Sequence, residues 1–266
     1  MIPKIIHYVW VGDGPKPPEV LACIESWRRF CPGWEIREWG NDFAKTVECR
    51  YVKEALAHRK WAFASDWIRL HALQSFGGFY LDTDMEMRKP FDGFLKERFL
   101  ISWERMNGRT NLNCGVIGSE AGGDVVRSLM AAYDNIAFVK DDGELDMTPN
   151  TVRLLGVFAE RWGVRPSDGC DTVRFADGCV VFPCTYFLPE DGYTFHHYAA
   201  TWLDAWLRKV WLKAGPYKLV RFKRRLEAAT DACVSLQNGE RKIFSFPVGS
   251  RKRVALLKRV KGGLHG

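Results

Sequence analysis

The chain lacks any apolar run long enough to cross a bilayer, which takes about 20 residues. Its first residues, MIPKIIHYVWVG, hold only a short apolar stretch and pass directly into a Gly/Pro loop. They show neither the h-region nor the small-residue cleavage site of a signal peptide. Eight cysteines (Cys23, Cys31, Cys49, Cys114, Cys170, Cys179, Cys184 and Cys233) include no Cys-x-x-Cys pair, which argues against a zinc site. Several sit in apolar patterns, where the thiol acts as a small hydrophobe. Without an export signal, reduced thiols and a cytoplasmic location are the expectation. No repeat, low-complexity stretch, zinc finger, RNA-recognition motif or helix-turn-helix signature occurs, so nucleic acid is not expected as a partner. Acids are absent from residues 207–225, which hold eight Lys/Arg, and from 251–261, which hold six. The net charge of +7 is therefore a C-terminal property, and the rest of the chain is near −7. Such an arm suits anionic lipid or another polyanion, or is the solvated face of a packed extension.

What is present reads as an ordinary globular chain. At 266 residues, 47% apolar and 27% charged, it can bury a substantial core in one or two domains. Ile5–Val9 reads as a first strand, ending in Trp10 and a Gly/Pro loop. Residues 20–30 read as an amphipathic helix stopped by Pro32, 36–39 as a strand and 50–58 as a helix. Strands are expected at 98–103, 111–117, 172–175 and 179–182, and helices at 121–134 and from Thr148-Pro149-Asn150 onward. This alternation predicts an α/β fold with a mostly parallel central sheet flanked by helices. After residue 202, Leu203, Trp206, Leu207, Val210 and Trp211 recur at helical spacing, and a second basic helix is expected over 217–236.

The densest pattern is WAFASDWIRLHALQSFGGFYLDTDMEMRKP, residues 61–90. Trp61, Ala64, Ile68, Ala72 and Phe76 predict one apolar helical face, with Asp66 and Arg69 one turn apart. Gly77-Gly78 stops the helix. Phe79–Leu81 is a buried strand. Asp82, Asp84 and Glu86 then follow at period two, on one side if the strand continues. Clustered carboxylates repel and are costly to bury, so a divalent cation is the expected partner. Oxygen ligands favour Mn2+ or Mg2+ over zinc.

The run Ser65-Asp66, Arg69, Gly77-Gly78, Tyr80-Leu81-Asp82-x-Asp84 resembles the Asp-x-Asp sugar-binding region of glycosyltransferase family 32 and, more distantly, the clostridial toxin glucosyltransferases. The segment FHHYAATW, 195–202, is similar to the family's His-His-aromatic segment before Ser-Trp, with Thr201 in place of Ser. The resemblance implies a GT-A nucleotide-diphospho-sugar transferase fold over residues 1–202, followed by a basic helical extension, 203–266. It implies a metal-dependent retaining transferase that takes a UDP- or GDP-linked sugar to a glycan or lipid-linked acceptor, with Asp82 and Asp84 catalytic. Asp84, Asp82 and His197 would hold the metal, and Trp202 would donate to a phosphate. Val9, Trp10, Asp66, Arg69 and Asn113 would contact the donor. Such an enzyme would build surface polysaccharide from the cytoplasm, at the inner membrane face if the basic arm binds lipid. The residue patterns alone leave other readings open: a structural histidine at 197, a core role for Trp10, a metal-dependent phosphohydrolase or nuclease, or a non-catalytic polyanion-binding protein.

Overall fold

The computed structural model describes residues 1–106, 109–166, 171–175 and 177–197, and the backbone of four later strands. The chain divides into two compact units, Met1–Tyr198 and Ala199–Gly266.

In the first unit a seven-stranded sheet runs in the order β2-β1-β3-β6-β5-β8-β7. The strands are β1 (Ile5–Val9), β2 (Glu35–Trp39), β3 (Gly78–Leu81), β5 (Phe99–Met106), β6 (Arg109–Ser119), β7 (Val173–Arg174) and β8 (Cys179–Phe182). Pairing is parallel for β1 with β2, β1 with β3 and β5 with β8, and antiparallel at both edges of β6 and for β7 with β8. Five of the seven strands thus point the same way. Helices α1 (Pro18–Phe30), α2 (Asn41–Thr46), α3 (Arg50–Ala57), α4 (Trp61–Phe76), α5 (Asp124–Ala131) and α6 (Asn150–Trp162) flank it. This is the α/β class expected for a GT-A transferase. A separate two-stranded ladder pairs β4 (Met85–Met87) with β9 (Thr194–His196).

Two apolar cores lie on either side of the sheet. One joins α4, α5 and α6 to Tyr80, Ile101, Trp103, Leu112 and Ile117, and the other joins α1 to Ile6, Phe79, Leu81, Met85 and Leu100. Phe79 and Leu81 are fully buried, each contributing about 2–3 kcal/mol. Helix α4 ends where expected. Gly77, at φ 63°, donates its N–H to the Leu73 carbonyl, and Gly78 follows at φ 102°. A Cβ on Gly77 would lie 2.6 Å from the Ala121 nitrogen, so the turn admits only glycine. One detail of the apolar face differs: Phe76 is exposed and covered by Arg37, whose guanidinium lies 4.2 Å from the ring centre.

The second unit differs from expectation. The basic helices predicted after residue 202 are instead a four-stranded antiparallel sheet, β10 (Arg208–Ala214), β11 (Tyr217–Leu226), β12 (Ala229–Asn238) and β13 (Arg241–Pro247), in sequential order. The sequence reasons are Gly215-Pro216 and Asn238-Gly239, both turn dipeptides, and the period-two series Thr230, Ala232, Val234, Leu236. Over residues 208–211 these outweigh the helical spacing; Leu203, Trp206 and Leu207 lie outside the described residues.

Candidate active site

The carboxyl ends of β1 and β3 meet at a topological switch point. From β1 the chain moves to β2 on one side, and β3 lies on the other. Open α/β sheets bind ligands in this crevice. The parallel register His7↔Tyr80 carries Val9 and Trp10 to the same edge as Asp82. Val9 is buried in the core. Trp10 is half-buried and donates its indole N–H to the Gly14 carbonyl at 3.3 Å. The loop beyond it is held by Asn41, which exchanges two hydrogen bonds with the Gly12 backbone at 2.9 and 3.1 Å.

Helix α4 places Asp66 and Arg69 against this edge. Both are buried, and Arg69 Nη2 lies 2.8 Å from Asp66 Oδ1 and 3.4 Å from Asp82 Oδ1. Arg69 Nη1 donates to the Cys114 carbonyl at 2.7 Å, and its guanidinium stacks 4.5 Å from the Tyr80 ring centre. The Tyr80 hydroxyl donates to Asp82 Oδ1 at 2.7 Å. Asp66 and Arg69 are therefore not the exposed intrahelical pair that spacing alone permits. Burial, aided by Asp82, pushes the Asp66 carboxyl up to about 7, against the opposing pull of Arg69.

Strand β3 does not continue through the acids. It ends at Leu81, and Met85 N–H donates to the Asp82 carbonyl at 2.9 Å, closing a turn. The expected period-two row of Asp82, Asp84 and Glu86 is thus broken, because β4 leaves the main sheet to pair with β9. That ladder sorts the histidines. His196 Nε2 lies 3.4 Å from Asp84 Oδ1, whereas His197 Nε2 lies 3.0 Å from Glu86 Oε2. His197 keeps a backbone link to the motif, donating its N–H to the Asp84 carbonyl at 3.0 Å. Burial lowers the basicity of His196, but Asp84 and other acids outweigh it and raise its pKa. Trp202 lies outside the described residues.

Strand β6 reaches the site through an irregularity. Its pairing with β5 shifts between Leu100 and Ser102, while on its other edge the Gly115 carbonyl accepts from Asp82 N–H at 2.9 Å. Bulges commonly re-aim groups beside active sites. Asn113 is buried. Its Oδ1 accepts from Gly115 N–H at 2.9 Å and its Nδ2 donates to Ser102 Oγ at 3.3 Å, so it also shapes the ribbon.

Two residues escaped the sequence reading. Asn150 and Arg153, at the start of α6, act electrostatically on Asp66. Asn150 accepts from the Tyr133 hydroxyl at 2.9 Å, and Arg153 pairs with Asp146 at 2.6 Å while lying over Tyr51 and Tyr133. Position at a helix start was their only sequence signal.

The edge lies within a stretch that resembles a known family. Residues 17–100 match the family described as glycosyltransferase sugar-binding region containing DXD motif. Over this stretch the chain resembles a DXD-type, family 32-like glycosyltransferase. It is 34% identical over 126 residues to an uncharacterized glycosyltransferase, L373, of Acanthamoeba polyphaga mimivirus, covering 45% of this chain and 50% of that protein. It is 24% identical over 174 residues to subversion of eukaryotic traffic protein A of Legionella pneumophila, covering 54% of this chain and 27% of that one. The chain thus spans half or less of these curated relatives. Among solved structures, PaToxG glycosyltransferase is similar at 18% identity and a TM-score of 0.47, over 61% of this chain and 70% of that one.

Proposed function

We propose that the chain is a metal-dependent retaining glycosyltransferase. It moves a sugar from a UDP- or GDP-linked donor to a glycan or lipid-linked acceptor, in the synthesis of a surface polysaccharide. The observation that carries this reading is the buried Asp66–Arg69–Tyr80–Asp82 network at the switch-point edge, inside the matched region. In this reading Asp66 and Arg69 hold the donor's ribose and sugar, and Val9 and Trp10 its base. Trp202 would give its indole N–H to a phosphate oxygen.

The donor set suits a hard cation. Asp82 Oδ1 is occupied by Tyr80 and Arg69, which leaves Oδ2, and Asp84 follows across one turn. Among the described residues no three His, Cys, Asp or Glu side chains converge as a ready cage. Mn2+ or Mg2+ here would be held by Asp84, Asp82 and His197, with donor phosphates and water completing the shell; carboxylates with substrate phosphates are the usual Mg2+ arrangement. When bound, such an ion stabilises negative charge on the leaving diphosphate. The protein's own part is to fix the two carboxylates and exclude water from Arg69 and Asp66.

Residues 1–202 would form the catalytic domain and 203–266 a basic extension that holds the enzyme to an anionic inner membrane face. No helix among the described residues is long and apolar enough to cross a membrane. Co-sedimentation with liposomes that ignores anionic lipid content would overturn that part.

A thermal-shift panel of nucleotide sugars with and without Mn2+ tests the activity, since a ligand of the native state raises the melting temperature. One UDP- or GDP-sugar is expected to shift the protein only with Mn2+, and Asp84→Ala to abolish the shift. No shift with any nucleotide sugar, together with phosphodiester hydrolysis, would replace this reading with a phosphohydrolase.

A further inference from the structure

The β5–β6 ribbon carries a polar face that runs on past Asn113, the last of its residues assigned to the donor. Beyond its irregularity Ser102 pairs with Asn113, Trp103 with Leu112 and Glu104 with Asn111. Side chains alternate across a strand. Trp103 and Leu112 enter the core beneath α4 and α6, so Ser102, Asn113, Glu104 and Asn111 face the other way. Gly115 shares that face: a Cβ there would sit 3.1 Å from Asn113 Oδ1 and 3.2 Å from Asp82 Oδ2. The polar row therefore starts at the Asp82 carboxylate and runs outward.

Its two rungs differ. The inner one, Ser102 with Asn113, is buried and bonded to itself. The outer one, Glu104 with Asn111, is half-buried. In the sheet order β1-β3-β6-β5, this rung approaches the acids from the side opposite Val9 and Trp10.

We propose that the outer rung is the acceptor subsite, in which Glu104 and Asn111 hold hydroxyl groups of a carbohydrate acceptor against the donor sugar. The inference rests on the transferase reading above. A carboxylate accepts from two hydroxyls, and an amide both donates and accepts, so the pair matches adjacent hydroxyls of a pyranose. Glycine at 115 keeps the passage to Asp82 clear of a side chain. The closed inner rung fixes the ribbon that carries the outer one, and such second-layer support gives a binding site its geometry.

The test separates donor chemistry from acceptor capture. Release of nucleotide from the donor in the thermal-shift panel is measured with Mn2+, in water alone and with methyl α-glycosides of glucose, galactose and mannose. The wild type is expected to hydrolyse the donor slowly and to glycosylate at least one glycoside. Glu104→Gln is expected to lower kcat/KM for that glycoside about tenfold or more, the loss of a hydrogen bond to a charged group. Donor hydrolysis and the donor's thermal shift should stay within about twofold of wild type. Asn111→Ala should give the same split, which covers the case in which one variant folds poorly. Equal loss of hydrolysis and transfer, undiminished transfer, or a wild type that hydrolyses donor yet accepts no glycoside would each overturn the subsite. A wild type that hydrolyses no nucleotide sugar would instead overturn the transferase reading itself.

Discussion

Tyr80 donates its hydroxyl hydrogen to Asp82 Oδ1 across 2.7 Å, while the other face of its role is to carry the Arg69 guanidinium 4.5 Å above its ring. The first carboxylate of the motif is thus oriented by its own strand, two residues upstream. Tyr80→Phe removes only the hydroxyl. Stability should fall by about 1–2 kcal/mol, read by urea unfolding. Donor turnover should fall further, about tenfold or more, because one Asp82 oxygen loses its fixed direction. Unchanged turnover would mean that the hydroxyl matters to packing alone.

Among the described residues Arg69 is the cation that faces both Asp66 and Asp82 within 3.4 Å. Arg69→Met should destabilise the fold by about 3–5 kcal/mol, because it leaves buried carboxylates without compensation. Adding Asp66→Asn should return part of that stability without restoring activity. Additive losses in the double variant, measured by denaturant melts, would show that the pair is not coupled.

His7 gives the fold a pH dependence away from the acids. It is fully buried, its Nδ1 accepts from the Trp39 indole N–H at 3.1 Å, and its Nε2–H donates to the Gly77 carbonyl at 2.7 Å. Acceptance at Nδ1 requires the neutral ring, whereas donation from Nε2 would survive protonation. Burial lowers its pKa from 6.5 to about 4. Between those values the unfolded chain binds a proton that the native state refuses, so stability falls as pH falls. The contribution is complete above pH 6.5 and lost by about pH 4, amounting to about 3 kcal/mol. His7→Gln should be less stable at pH 7 but show a flatter decline over this window in urea melts at fixed ionic strength.

Gly115→Ala probes the passage between the ribbon and the acids. The added methyl would lie 3.1 Å from Asn113 Oδ1, 3.2 Å from Asp82 Oδ2 and 3.3 Å from Met85 Sδ. Each neighbour must give by a few tenths of an ångström, so a folded protein is expected, less stable by about 1–3 kcal/mol. Turnover should drop more than stability suggests. A variant with full activity and an unchanged melting temperature would show that the contact is slack.

The first hundred residues were legible because their signals are local. Helix α4 announces itself by spacing, Gly77-Gly78 by the need for positive φ, and β3 by a run of buried aromatics. The Asp66, Arg69 and Asp82 cluster follows from one helix returning over the strand it precedes. Failure began where partners are distant. The period of two in Asp82, Asp84 and Glu86 fits a continuing strand, yet β4 peels away because Thr194–His196 pairs with it from more than a hundred residues downstream. That pairing set His196 beside Asp84 and His197 beside Glu86, which counting back from Trp202 could not reveal.

The same division holds for the rest of the chain. Composition alone established a basic C-terminal stretch, but Leu203 to Trp211 satisfies helical spacing while the turn dipeptides favour hairpins. Strand pairing, which is cooperative and non-local, decided for a sheet. Asn150 and Arg153 carry no motif, and only the packing of α6 on β6 and against Tyr133 brought them to Asp66. Residue identity determined which groups are acidic, apolar or conformationally free, because those properties are local to each side chain. Which carboxylate meets which imidazole, and which strand bends to reach Asp82, was decided by tertiary structure, because charge and hydrogen bonding act over a few ångströms and only folding sets those distances.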